Sequence, residues 1–444
     1  MRLKFSTLFV AATAMVLVLL LGSAVWLGGA GERSGRTVIT VRLWDEQAAA
    51  AYRRSFTEFS RQHPDIEVRV DVVAYRSYFD TLRTDVAGGG ADDVFWLSNA
   101  YLAGYADNGR LLDVGTTLGP DASAAWEAQV VRQFTRNGVL WGVPQLTDAG
   151  IAVYYDADLL DRAGVTPAQL QDLHWSPDGV GDTLRPLLAR LTVDADGNPA
   201  GTPRFDPSRI VQWGYNAGND LQGIYLNYVG SAGGVFQDGD RFAFDNPAAI
   251  QAFEYLVALI DGDHVAPPAA ATNDNGDFSR NQFLQGRMAL FQSGTYNLSA
   301  IADQAPFRWG VAMLPAGPAG RVSVTNGIAA AGNAASPHPE AVRQVLAWMG
   351  SARGNEFLGA DGAAIPAVTA AQGAYFRHWA DRGVDVTPFF RVLDGPRIPA
   401  PGGAGFAAGY QAFKPYFDEM FLGRRDVPSS LALAQSAANA AADR

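Results

Sequence analysis

The five histidines, His63, His174, His264, His338 and His378, are where acid–base or metal chemistry would first be sought, and none is spaced for it. No pair stands at i, i+4 and no H-E-x-x-H occurs, so no zinc-type site is written in the spacing. The 444 residues contain no cysteine, which excludes disulfides, thiolate ligation, a Cys nucleophile and a lipid-modified Cys near the N-terminus. A nucleophile elbow, a Walker loop and a dinucleotide fingerprint are likewise absent. "DADGNPAG" (194–201) hints at a calcium loop, but its Gly is misplaced and Phe205 stands where a bidentate Glu is needed. It reads as a hairpin turn. No catalytic residue, metal or cofactor is therefore expected. Glycoside hydrolysis needs only two carboxylates, at a separation that sequence does not display, so that class stays open.

What the chain does offer is aromatic rings beside short polar side chains. The main cases are Trp44-Asp45, Trp96 with Ser98 and Asn99, Asp148, Tyr225 with Asn227 and Tyr228, Thr295-Tyr296, and Asn326. A sugar presents apolar C–H faces edged by hydroxyls. A ring can cover the faces, while carboxylate or amide groups bond the edges, with no His, Cys or metal. For each ring the competing reading is core packing. In "ADDVFWLSNAYLAGYADNGRLLDV" (91–114), residue types alone favour a buried Trp96 and a helix-capping Asn99.

The elements that would position these residues are mixed. "TVITVRLW" (37–44) alternates as a strand, and Asp45 to Gln62 carries Tyr52, Phe56 and Phe59 at helical spacing until His63-Pro64. "IEVRVDVV" (66–73) is a second strand and Ser77 to Val86 a second helix ended by Gly88-Gly89-Gly90. Asp92 to Leu97 forms a third strand, and Ala100 to Asn108 a helix closed by Gly109. This β-α-β-α-β order predicts a parallel sheet with ligands at its carboxyl edge, where Trp44, Trp96 and Asn99 fall. Further on, Gly150 to Gly164 is a strand running into a helix. Asn246 and Pro247 open a helix to Gly262, and Ser336 caps another ending at Met349. The Ala-rich tail from Leu431 reads as a terminal helix that frays.

Length calls for two or three units, and 48% hydrophobic with 18% charged residues is a globular composition. A net charge of −11, with Lys4 and Lys414 the only lysines, argues against a nucleic-acid partner. Arg2 and Lys4 precede an uncharged apolar run from Phe5 to Gly29, a secretory signal or membrane anchor with the rest of the chain outside.

Taken in order, "VRLWDE", "HPDIEVRVDVV", "DDVFWLSNAYLAGYADNGRLLDV", "WGVPQLTDAGIAVYYDADLLDRAGV", "YLNYVGSAGGVF", "FLQGRMALFQSGTYNL", "FRWGVAMLPAGPAG" and "GAAIP" resemble the extracellular solute-binding proteins of family 1. These are the maltose-binding type of carbohydrate ABC importer substrate-binding protein. The likeness covers roughly Val38 to Phe421, with Asp92 for the usual Pro and Tyr296 where a Trp is common. It implies an α/β, two-lobed periplasmic-binding-protein fold of class II (Venus-flytrap), preceded by a signal or anchor over 1–36. Residues 37–148 and 295–348 would form one lobe, and 149–294 and 349–444 the other. The chain would cross near 147–149, 294–303 and 347–353. It further implies a monomer that captures a mono- or oligosaccharide in the cleft, closes by hinge bending and delivers it to ABC transporter permease subunits. Trp96 matches a sugar-stacking Trp, Asn99 a hydroxyl-bonding carboxylate, and Tyr296 the stacking aromatic of the second lobe. Trp44, Asp45, Asp148, Tyr225 and Asn326 complete the expected ligand set. The rival roles are an exported glycosidase and a sugar-sensing subunit of a signalling system. The setting would be extracellular or periplasmic, with the chain free or tethered to the outer face of the cytoplasmic membrane.

Removal of residues 1–34 should leave a soluble, cooperatively melting protein that still binds its ligand; aggregation with loss of binding would show that the apolar run belongs to the fold.

Overall fold

The chain, seen here as a computed structural model, is described over residues 35–147, 149–273 and 275–443. The apolar N-terminal run and Asp148 lie outside the described residues. Strict alternation in Thr37–Leu43 turns Ile39, Val41 and Leu43 inward, each fully buried. The neighbouring helix Glu46–Gln62 starts where the Asp45 carboxylate accepts the Ala48 N–H at 2.7 Å, and it buries Tyr52, Phe56 and Phe59. The first sheet has the strand order Ile66–Val72, Thr37–Leu43, Val94–Ser98, Ile328–Gly332, Val143–Leu146. Its first three strands are parallel, as the β-α-β-α-β pattern requires. Ile328–Gly332 runs antiparallel to both of its neighbours.

A second, antiparallel sheet sets Ala152–Asp156 between Leu290–Ser293 and Trp309–Ala312. Around it lie helix Pro247–Asp261, opened by Asn246 and Pro247 as expected, and the pair Phe406–Phe421 and Val427–Ala442. The terminal helix does not fray as its composition suggested. Asp426 caps it through the Ser429 N–H, and Leu431, Ala434 and Ala438 are fully buried. The "DADGNPAG" stretch is a turn whose Asp194 carboxylate is engaged by the N–H groups of Asp196, Asn198 and Asp206. The Pro339–Met349 helix starts at His338 rather than Ser336, because Pro339 takes the first helical position.

The first sheet thus sits in one core and the second sheet carries one on each face, with Val153 and Leu290 in one and Tyr154 and Phe291 in the other, so the chain forms two lobes. Their boundaries correct the expected ones. Residues 295–322 pack with the second lobe, since Trp309–Ala312 pairs with Ala152–Asp156. Residues 349–368 pack with the first, since Ser55 Oγ donates to the Gly354 carbonyl and Leu358 and Val368 join its core. The chain crosses between Leu146 and Ala152, between Thr325 and Ile328, and after Val368, not near 294–303 or 347–353.

The first lobe is knotted together by one buried amide. Gln145 Oε1 accepts from Tyr52 Oη at 2.6 Å and from Asn355 Nδ2 at 3.2 Å, while its Nε2 donates to the carbonyls of Val143, Pro144 and Met349. Gln145→Leu strands these partners without solvent and should cost about 2–4 kcal/mol in urea unfolding. A loss under about 0.5 kcal/mol would mean that the network contributes no net stability.

Candidate functional site

All strands of the first sheet except the Ile66–Val72 edge contribute to one rim. Thr37–Leu43, Val94–Ser98 and Val143–Leu146 end there, and the antiparallel Ile328–Gly332 begins there. That topology alone delivers Trp44 and Asp45, Ser98, Thr147 and Asn326 to a single interlobe cleft of about 610 Å³. Asp45 lines it while also capping its helix, and burial holds its carboxyl above the ordinary range despite the Ala48 N–H. Trp44 is half-buried, held edge-on by Tyr75, Tyr78 and Trp96 at centroid distances of 5.7, 4.8 and 5.0 Å. Tyr75, at the start of helix Tyr75–Gly88, leaves 56% of its surface open. Ser98 Oγ reaches Asn326 Oδ1 at 3.5 Å.

The facing wall comes from the second lobe. Leu290–Ser293 ends at Gly294, and a side chain at Gly294 would collide with the Tyr296 ring, so glycine lets that ring fold back over the backbone. Tyr296 is 53% exposed. Asp220 opens the helical stretch from Leu221, accepting the Gly223 N–H at 2.9 Å. Solvent reaches Asp220 and Tyr296, yet protein surrounds both, and this crowding raises both groups. Although more than half of Tyr75 is open, the protein around its hydroxyl, then Tyr410 and Asp220, push it up to about 12. Tyr75, Asp220, Tyr296 and Tyr410 therefore share one electrostatic neighbourhood across the lobes. Asn216, Asn219, Gln222, Asn273 and Asn275 add amides, and Arg280 adds a cation.

Of the residues expected from sequence, Trp44, Asp45, Trp96, Tyr296 and Asn326 meet at this cleft. Trp96 requires correction as a stacking platform. It is 1% exposed, with Nε1 3.4 Å from Tyr52 Oη and its ring held at 5.0 Å by Trp44, so it floors the cleft from within the core. Tyr225 also requires correction, because the turn opened by Asp220 directs it inward among Phe236, Phe253 and Phe417. Asn99 does not line the cleft. It is the first residue of helix Asn99–Ala106, Ser98 occupies the cap position, and its Oδ1 is buried without a hydrogen bond. Asp148 lies outside the described residues. Sequence reasoning missed Tyr75, Asp220 and the wall from Thr272, Asn273, Asn275 and Arg280; only the D-x-x-G capping pattern at Asp220 left a local signal.

Two separately cored lobes around a polar, aromatic-walled cleft define a binding-protein architecture. The bacterial extracellular solute-binding protein family matches residues 44–356, and the chain belongs to that family. Its setting is accordingly periplasmic or extracellular. The crystal structure of M. tuberculosis UspC is 72% identical, with 91% of this chain and 100% of that one covered at a TM-score of 0.74. Listeria monocytogenes Lmo0181, an ABC substrate-binding protein in complex with cycloalternan, is 20% identical, covering 91% of this chain and 98% of that one at a TM-score of 0.78. The maltodextrin-binding protein MdxE of Bacillus subtilis is 25% identical over 64% of this chain and 62% of its own length. The matches span 55% to 68% of the curated relatives' lengths.

The raised Asp220 carboxyl gives a pH prediction with a definite sign. A carboxyl whose folded pKa lies above its unfolded value favours folding at low pH and loses that contribution as pH rises through the folded pKa. Asp220→Asn keeps an oxygen for the Gly223 N–H and cannot ionise. It should melt above the wild type at pH 7, with the gap closing as pH falls below about 4. Thermal melts between pH 3.5 and 8 check this, and a pH-independent gap would assign the effect to packing instead.

Proposed function

We propose that the chain captures a neutral carbohydrate between its lobes and delivers it to ABC transporter permease subunits, without catalysis. The observation that carries this reading is the pair of open rings. Tyr75 of the first lobe and Tyr296 of the second are each more than half exposed inside a cleft edged by amides and the carboxylates of Asp45 and Asp220. Trp44 extends the apolar surface, and Asn326 adds an amide beside Ser98. Rings on C–H faces with acceptors on hydroxyls are what a sugar requires, and cycloalternan and maltodextrin, the ligands of two related proteins, are of that class. Both carboxylates also cap helices, Asp45 through Ala48 and Asp220 through Gly223, which suits fixed acceptors better than groups that must pass protons. The N-terminal apolar run would export the chain or tether it outside the membrane.

A thermal-shift screen with maltose, maltotriose, mannobiose, mannotriose and lactose tests this reading. A sugar at 100 times its Kd should add about 2.7 kcal/mol of stability. Tyr75→Ala and Tyr296→Ala should each weaken that sugar about tenfold while melting as the wild type does. Trp96→Ala should instead cost about 3–5 kcal/mol of stability, as for a buried aromatic. Failure of every sugar to shift the melt, or wild-type affinity in both Tyr variants, would overturn the proposal.

A further inference from the structure

Asp418 lies on helix Phe406–Phe421, outside the cleft, and reaches the cleft wall from behind. Its Oδ1 accepts from Asn219 Nδ2 at 2.8 Å, and its Oδ2 accepts from Lys414 Nζ at 2.6 Å. Its backbone carbonyl accepts from Asn273 Nδ2 at 3.1 Å. Asn219 and Asn273 both line the cleft, on loops outside either sheet. At its other end the 216–222 loop is held by Asn216, whose Nδ2 donates to the Gln292 carbonyl at 2.9 Å and whose Oδ1 accepts the Gln292 N–H at 2.7 Å.

A carboxylate paired with an ammonium only accepts hydrogen bonds, so the Asn219 amide has one orientation available: Nδ2 toward Asp418, Oδ1 turned away. We infer that Asp418 is a positioning residue for ligand selection. It fixes the Asn219 carbonyl oxygen beside the Asp220 carboxylate as an acceptor pair for two adjacent hydroxyl donors on the ligand. Asp220 is itself pinned through Gly223, so both members of the pair are set before a ligand arrives. The inference rests on the carbohydrate reading for the hydroxyls, and on the geometry alone for the hold on Asn219.

The test uses the full chain. Asp418→Ala removes the bond to Asn219 but keeps the carbonyl that holds Asn273. Hydrogen–deuterium exchange should therefore quicken in 216–222 and stay unchanged in 269–280. Calorimetry with whichever of maltose, maltotriose, mannobiose, mannotriose or lactose shifts the wild-type melt most should show about tenfold weaker binding in Asp418→Ala. Asp418→Asn, whose amide oxygen can still accept from Asn219, should bind within about threefold of wild type. Unchanged exchange in 216–222 would overturn the tether. Faster exchange with unchanged affinity, or Asp418→Asn as weak as Asp418→Ala, would overturn the role in selection. Should none of the five sugars bind the wild type, the carbohydrate reading fails, and the exchange comparison still decides whether Asp418 holds Asn219.

Discussion

The strand Ile328–Gly332 is the constraint on which the first lobe and the cleft both depend. It returns from the second lobe and inserts between Val94–Ser98 and Val143–Leu146, bonded to each in antiparallel register. Without it the first sheet would end at Val94–Ser98, and Val143–Leu146 would have no partner in that sheet. Its middle residues, Ala329, Ala330 and Ala331, are fully buried, and their small side chains let flanking elements come close. A methyl at Gly142 would already sit 2.7 Å from the Ala329 Cβ. Because the strand follows the second lobe in sequence, the first sheet cannot close until some 180 intervening residues are in place, a non-local pairing of the kind that slows folding. The direction of this strand also decides the site. Running against its neighbours, it begins where they end, and so brings Asn326 to the rim that holds Trp44, Asp45 and Ser98.

The rim places polar groups where their desolvation is only partly offset. Surrounding protein lifts the Asp45 and Asp220 carboxyls even though each accepts a backbone N–H. Asp194 is the contrast. Its carboxylate, engaged by three backbone N–H groups and the Asn198 amide, is depressed to about 2, because those bonds outweigh its desolvation. The turn at Asp194 is built to be satisfied as it stands. At the cleft carboxylates the balance runs the other way: one backbone N–H at Ala48 and one at Gly223 do not outweigh the surrounding protein.

How much of this was legible follows from whether each signal is local. Thr37–Leu43, Glu46–Gln62, Ile66–Val72 and Val94–Ser98 all announce themselves by period, cap or breaker, and the parallel order follows from their alternation. Trp44, Asp45 and Asn326 were legible as cleft-lining residues because strand ends determine where they lie. Trp96 and Tyr225 were not, because a ring beside polar neighbours looks alike in the core and at a cleft; only packing against Trp44 and Tyr52, or against Phe253 and Phe417, separates the cases. Tyr75 escaped for the converse reason: it opens a helix with no side-chain cap, and nothing local marks its ring as exposed. The lobe boundaries at 295–322 and 349–368 depend on pairing between distant segments, which neither composition nor period encodes.

One contact between the lobes away from the crossings is aromatic. Tyr101 of the first lobe stacks on Phe79 at 3.9 Å and meets Phe406 of the second edge-on at 5.7 Å. Gly402, whose loop is pinned by paired bonds between its backbone and the Gln237 amide, sits so close that a methyl there would lie 3.2 Å from the Ala100 Cα. The lobes touch here, and glycine is what permits the approach. Phe79 links Tyr101 to Tyr75, and Phe406 links it to Tyr410, so a continuous path of ring contacts runs from one cleft wall to the other. In a protein whose lobes open and close, a ligand favours the closed state only by as much as it binds that state better than the open one. Tyr75 and Tyr296, one ring on each lobe, line the same cleft, so under the proposed reading their joint contact with a single ligand would supply that difference.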